Sequence, residues 1–218
     1  MESISFGLAD KVIVASQADA KAHAMFCQKL LIIPNYIDTE TFFCGPQNER
    51  KKQFLFVGRF EAQKNIPALL KAFASIDSSN LELVLIGSGS EQETVLQFAK
   101  TQKNIKVLDN MTSEELAQKM RESQWFILPS LYEGTPKVLM EAYSSGCQCI
   151  VTPMEEIADL CEQLPGIITA NSFEGTDIQE ALSLAIRTEY SPSEHAAEEF
   201  SLQSYCNQEY DVFNKLRH

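Results

Sequence analysis

Short, unbroken apolar runs alternating with stretches of helical spacing constrain this chain more than any other feature. The runs are KVIVAS (11–16), LLIIP (30–34), QFLFVG (53–58), LELVLIG (81–87), IKVL (105–108), WFILP (125–129), CQCIVT (147–152) and GIIT (166–169). They are rich in Val, Ile, Leu and Phe and carry little polar alternation, the mark of strands buried on both faces of a parallel sheet. Helices are expected between them near 17–27, 66–76, 91–102, 113–122 and 136–145. Repeated βαβ units of this kind imply an α/β fold with a doubly wound, Rossmann-like parallel sheet and right-handed crossovers. In such folds, ligands bind at loops beyond the carboxyl ends of the strands.

Composition narrows the functions open to the fold. With 218 residues the chain can build one sizeable core, or one domain plus a piece of another. No apolar run reaches the length of a membrane span, and MESISFGLADK lacks the basic start and long apolar stretch of a signal peptide. The formal charge of −12 argues against a broad grip on nucleic acid, so no nucleic-acid partner is expected. It leaves room for a few well-placed cations on a diphosphate. The six cysteines form no C-x-x-C, and three histidines are too scattered to complete a zinc set. Reduced core thiols in a cytosolic protein are expected, with no metal site. The stretches 45–53 and 188–201 read as polar connections, and 202–216 has helical apolar spacing.

The segment 124–149, QWFILPSLYEGTPKVLMEAYSSGCQC, concentrates the chemical signals. A strand feeds a loop carrying Glu133 and Gly134. Thr135 is expected to be the N-cap and Pro136 the first residue of a helix that Gly146 ends. No Glu or Gln follows Thr135 at the third position, so the backbone N–H groups of Lys137, Val138 and Leu139 are candidates for an anion. Thr112 and Glu115, by contrast, form an expected capping box, a structural role. Arg59 and Lys64 follow the strand 53–58, and Asn65 is expected to cap the next helix. Gly87-Ser88-Gly89 follows the strand 81–87 but lacks the third glycine of a dinucleotide fingerprint, since Gln92 stands there. There is neither a Walker P-loop nor a D-x-D motif.

Glu133 and Glu141 stand in E-x7-E spacing, with EG at its start and EA at its end. That pattern resembles the donor site of retaining GT-B glycosyltransferases of family 4 (glycosyl transferases group 1). ADKVIVAS (9–16), IPNYIDTETF (33–42), VGRFEAQKN (57–65) and LIGSGSE (85–91) resemble further segments of that family in the same order. The resemblance implies that Arg59 and Lys64 contact the donor diphosphate while Gly58 lets the backbone approach. Gly87 and Gly89 would floor the nucleotide site. Glu133 would approach the transferred sugar, Glu141 would accept hydrogen bonds from the ribose, and Gly134, Thr135 and Pro136 would shape the turn over sugar and phosphates. Asn110 stands where the family commonly has Gly, in the loop (108–112) against the base, and its tolerance of left-handed angles would preserve that loop.

The implied substrate is a UDP- or GDP-sugar with the base undecided, the acceptor a glycan or lipid-linked glycan, and no cofactor or metal is implied. Residues 1–36 would be the tail of an N-terminal acceptor-type domain. Residues 37–200 would form the nucleotide-sugar-binding domain, the C-terminal half of the GT-B fold, and 201–218 a helix packing back toward the N-terminal half. A separate acceptor-domain chain or self-association would then complete the enzyme, in the cytoplasm or at the inner membrane face. A non-catalytic nucleotide-sugar-binding or scaffold subunit is the alternative.

Overall fold

The computed structural model describes residues 9, 11–15, 17–24, 29–33, 35–46, 49–77, 79–192 and 200–216. Parts of the expected strand 11–16, helix 17–27, strand 30–34 and connections 45–53 and 188–201 fall outside those residues. The first described elements are β1 (Val12–Val14), α1 (Gln17–His23) and β2 (Leu30–Ile32). β1 and β2 pair in parallel as a sheet of their own, with Val12 opposite Leu30.

The remaining strands are β3 (Lys51–Val57), β4 (Glu82–Ile86), β5 (Ile105–Leu108), β6 (Ser123–Leu128), β7 (Gln148–Val151) and β8 (Ile168–Thr169). They form one parallel sheet in the order β5-β4-β3-β6-β7-β8. The helices between and after them are α2 (Ile66–Ala74), α3 (Gln92–Ala99), α4 (Ser113–Glu122), α5 (Lys137–Ser144), α6 (Ala158–Gln163), α7 (Gly175–Arg187) and α8 (Leu202–Leu216). The expected doubly wound α/β sheet is therefore the observed one. Winding runs outward from β3 to β5, then returns to the centre at β6 and runs to the other edge. The strand order thus reverses between β3 and β6, the place where open sheets of this kind leave a crevice.

Alternation along β3 builds the two cores. Phe54 and Phe56 point to a layer with Ile66, Leu69, Leu70 and Phe73 of α2 and Ile178 and Leu182 of α7. Leu55 points to the opposite layer with Met120 of α4 and Leu139, Met140 and Tyr143 of α5. Phe54 also stacks on Trp125, its register partner on β6, at 4.6 Å between ring centroids. Central strands covered on both faces are what the unbroken apolar runs demand. β1 and β2 depart from that expectation, because Ile13 and Ile32 are each 37% exposed.

Two other readings need correction. Residues 51–53 belong to β3 rather than to an exposed connection. The exposed Lys51 and Lys52 disguise the strand start, while Gln53 is buried and donates to Ser123 Oγ at 2.6 Å. Helix α7 was not anticipated, although Ile178, Ala181, Leu182 and Ala185 follow helical spacing and are its buried face. At the chain's end, the Ile37 N–H donates to the Phe200 carbonyl at 2.8 Å, and the Tyr36 and Tyr205 rings lie 5.3 Å apart. Leu202, Tyr210 and Phe213 of α8 are exposed.

Candidate functional site

Three strand ends meet on the carboxyl edge of the sheet. The Gly58 N–H donates to the Ile86 carbonyl at 3.0 Å, and the Gly87 N–H to the Leu108 carbonyl at 3.1 Å. Gly87 has φ +144°, and a Cβ there would fall on the carbonyl oxygen of Gly58. Only glycine fits both the angle and the approach. The Phe60 N–H reaches the Ser88 carbonyl, and the Glu91 N–H the Phe60 carbonyl, each at 2.8 Å. Gly89 has no room for a side chain against the Phe60 backbone. The loops after β3 and β4 are therefore knitted into one floor.

After β3 the chain makes a 3-10 turn, Ala62–Lys64, closed by the Lys64 N–H on the Glu61 carbonyl at 2.8 Å. That turn aims Lys64 across the crevice at Glu133, in the loop after β6. Lys64 Nζ pairs with Glu133 Oε1, and the two side chains are only 13% and 11% exposed. The Ser130 hydroxyl donates to the same oxygen at 2.6 Å. Ser130 is itself buried, and its carbonyl accepts from the Thr152 hydroxyl. The two loops are also joined through Gln63, whose carbonyl accepts from the Leu131 N–H and whose Nε2 donates to the Tyr132 carbonyl, each at 2.8 Å.

Glu141 lies in α5, 13% exposed at its side chain, with Lys137 Nζ at 4.0 Å. Burial pushes its carboxyl above the usual carboxylate range, and the Lys137 ammonium only partly offsets this. Lys137 also sits 5.5 Å from the Tyr36 ring centroid. Arg59 is 72% exposed and meets Glu61 at 3.6 Å. It lies on the same loop as Lys64 but takes no part in the buried pair. Asn110 donates to Ser88 Oγ at 3.1 Å, so the loop after β5 touches the glycine floor.

Several local expectations are corrected. Pro136, with φ −74° and ψ 91°, is the N-cap, and the helix begins one residue later, at Lys137. Thr135 caps nothing, and its Oγ1 is buried without a hydrogen-bond partner. The Leu139 N–H is occupied, donating to the Pro136 carbonyl at 3.0 Å; Lys137 and Val138 begin the helix with no helical carbonyl behind them. Asn65 is the N-cap of α2 as expected, but its side chain makes no capping bond. It is left-handed at φ 51°, and its amide reaches the Phe173 carbonyl at 2.9 Å. It is also the one non-glycine with positive φ among the described residues, so Asn110 does not use left-handed angles. Gly134 is exposed, and a Cβ there would meet nothing within 4 Å. Gly146 ends α5 as expected, at φ +85°, with its N–H on the Tyr143 carbonyl and that of Cys147 on the Ala142 carbonyl. The Thr112–Glu115 capping box is present.

Ser130 and Gln63 are the site residues that the sequence reading missed. Ser130 stands three residues before Glu133, a spacing that suits a local hydrogen bond. For Gln63 the sequence offers no signal beyond its place beside Lys64.

The family model described as glycosyl transferases group 1 matches residues 38–200. The chain belongs to that family. The group 1 match extends from just before β3 to the start of α8 and includes the whole site. The chain is 31% identical over 156 residues to EpsF of Bacillus subtilis (strain 168), a protein named as a glycosyltransferase, covering 65% of this chain and 40% of that protein. It is 31% identical over 141 residues to the UDP-Gal:alpha-D-GlcNAc-diphosphoundecaprenol alpha-1,3-galactosyltransferase of Escherichia coli, covering 57% of this chain and 36% of that enzyme. The chain thus spans well under half the length of these curated relatives. Among solved structures it is similar to Anabaena Alr3699/HepE in complex with UDP, with a TM-score of 0.84 at 16% identity, over 97% of this chain and 65% of that one. The fold is the Rossmann-like half of a GT-B glycosyltransferase.

Proposed function

We propose that this chain is the donor-binding, C-terminal part of a retaining, metal-independent family 4 glycosyltransferase. It would pass a hexosyl group from a nucleotide-diphosphate sugar to a glycan or lipid-linked acceptor. The observation that carries the reading is the nearly buried Lys64–Glu133–Ser130 cluster at the β3/β6 reversal of the sheet. A cation and a carboxylate converge there, at the crevice where such sheets bind nucleotides. The E. coli relative takes UDP-Gal by its name, and HepE has been solved with UDP and with UDP-glucose, which supports a nucleotide-sugar donor.

In this reading Lys64 and Arg59 hold the diphosphate, with the Lys137 and Val138 N–H groups adding the positive end of α5. The sugar C1–oxygen bond breaks toward the nucleoside diphosphate, which leaves as an anion stabilised by those groups. Glu133 lies against the sugar and offsets positive charge developing near C1. The acceptor oxygen forms the new bond on the same face, and its proton passes to the departing phosphate. Glu141 accepts from the ribose hydroxyls, and the loop around Asn110 lies against the base. Arg59, Lys64 and the start of α5 are the counter-charge this reading assigns to the leaving diphosphate.

Residues 1–36 are proposed as the end of an acceptor-side domain, 37–200 as the donor domain and 201–218 as a helix returning toward the acceptor side. No helix among the described residues is long and apolar enough to cross a membrane. Work in the cytoplasm, with peripheral contact to the inner membrane face where the acceptor is lipid-linked, is the proposed setting.

Calorimetry with UDP, GDP and their sugars in EDTA is the test, followed by turnover of labelled donor with and without an acceptor-domain partner. Metal-free binding with turnover only in the combined system is expected. Binding that requires magnesium or manganese would reject the metal-free site. Efficient transfer by this chain alone would reject the donor-half reading, and binding without turnover in the complete assembly would favour a non-catalytic subunit.

A further inference from the structure

We infer that Gln63 is a positioning residue, a latch that fixes the sugar-side carboxylate Glu133 against the phosphate-side cation Lys64. The inference deepens the donor-site reading and rests on it for its consequence, though not for its geometry. Gln63 is both acceptor and donor to two consecutive residues of the facing loop. Its backbone carbonyl takes the Leu131 N–H, and its side-chain amide holds the Tyr132 carbonyl, both at 2.8 Å. Two bonds from one residue fix the direction of the facing strand end as well as its distance, much as a short ladder would.

The turn it holds has little else to hold it. Leu131 and Tyr132 are 42% and 56% exposed, and nothing lies within 4 Å of a Cβ built on Gly134. Packing at Leu131, Tyr132 and Gly134 therefore does little to place this turn, whose enclosed side chain is that of Glu133. Among the described residues, Thr152 holds the Ser130 carbonyl at the base of the turn, and beyond Gln63 the turn itself is fastened by the Ser130 hydroxyl and Lys64, both acting on the Glu133 carboxylate. When a diphosphate engages Lys64, the ammonium becomes shared between phosphate and Glu133. Gln63 is then the fastening that keeps the backbone before Glu133 in register with the loop that carries Lys64.

The consequence is selective. Loss of the latch leaves Arg59 and Lys64 on their own loop and so spares a plain nucleoside diphosphate. It lets Glu133 drift relative to the phosphates and so weakens a donor that also carries a sugar. One neutral hydrogen bond corresponds to roughly a two- to tenfold change in affinity. The ratio of dissociation constants for sugar nucleotide over nucleoside diphosphate should rise by about that factor.

The test uses the 218-residue chain with Gln63→Leu and Gln63→Glu. The Leu variant removes the amide. The Glu variant keeps its shape but faces the Tyr132 carbonyl with an acceptor, so a role in packing alone would survive it. Hydrogen exchange of peptides spanning 129–136 in unliganded protein should be faster in both variants, with melting temperature nearly unchanged. Calorimetry then compares UDP-glucose with UDP, and GDP-mannose with GDP, in wild type and variants. A raised ratio in both variants supports the latch. Unchanged exchange, or equal weakening of sugar nucleotide and diphosphate, overturns it. Wild-type protein that binds none of the four nucleotides overturns the donor-site reading and the ligand consequence with it. The exchange measurement still decides separately whether Gln63 holds the turn.

Discussion

Replacing Lys64 with Met removes the cation from the most enclosed ion pair among the described residues while keeping most of its aliphatic stem. Lys64 and Glu133 are 13% and 11% exposed, whereas every other described pair has at least one partner 33% or more exposed. Breaking a buried pair from one side costs about 3–5 kcal/mol, because the remaining charge stays desolvated. Here Glu133 keeps the Ser130 hydroxyl and some contact with water, so the expected cost is about 2–3 kcal/mol. For a chain of this length that corresponds to a melting temperature lower by about 5–10 °C. Glu133→Gln should cost less, since the amide oxygen can still accept from Ser130. The double variant should be more stable than the sum of the single losses predicts, by at least about 1 kcal/mol. Urea denaturation of the four proteins measures this coupling. The exposed pair Lys51–Glu122, 57% and 26% exposed, supplies the control, with an expected coupling of about 0–1 kcal/mol. A loss below about 0.5 kcal/mol in Lys64→Met, additive with Glu133→Gln, would refute the argument from burial.

Three further outcomes follow from the same geometry. Burial raises the Glu141 carboxyl, so the unfolded chain loses that proton first as pH rises and ionised Glu141 weakens the fold above that window. Glu141→Gln should therefore raise the melting temperature at neutral pH and leave it unchanged well below pH 4; a benefit of equal size at both would contradict the assignment. Glu141→Ala or Arg59→Ala should weaken nucleotide binding about tenfold or more, and unchanged affinity in both would sink the site. Gly87→Ala drives a Cβ into the Gly58 carbonyl at φ +144° and should cost more than about 3 kcal/mol, read as poor expression or an early melt. Wild-type stability in that variant would show that the glycine floor is adaptable.

Local chemistry alone made much of the fold legible. Apolar runs without alternation announced strands covered on both faces, and the central strands β3, β4, β6 and β7 are so covered. Thr112 with Glu115, and Gly146, marked helix ends because their bonds reach only three to five residues along the chain. The same reasoning slipped at Thr135, where the chain stays extended through Pro136. At Asn65 it placed the cap correctly but not the side chain, whose amide is claimed by a carbonyl 108 residues away. The lysine-led start of β3 was illegible because its first side chains face water while its backbone pairs with β6.

By itself, then, the sequence determined the alternation of strands and helices, the glycines that let the loops after β3 and β4 touch, and the identity of the charged residues. It did not determine which charges meet. Lys64 and Glu133 are 69 residues apart and belong to different loops. They come together because β6 is laid beside β3 rather than beside β5, an arrangement decided when helices cover both faces of the sheet. Gln63 gains its partners in the same step, since a polar side chain beside a strand end reads as solvated until another strand end is brought to hydrogen-bonding distance. The raised Glu141 carboxyl is likewise a tertiary product. Its position on α5 follows from helical spacing, but its loss of water follows from where that helix packs.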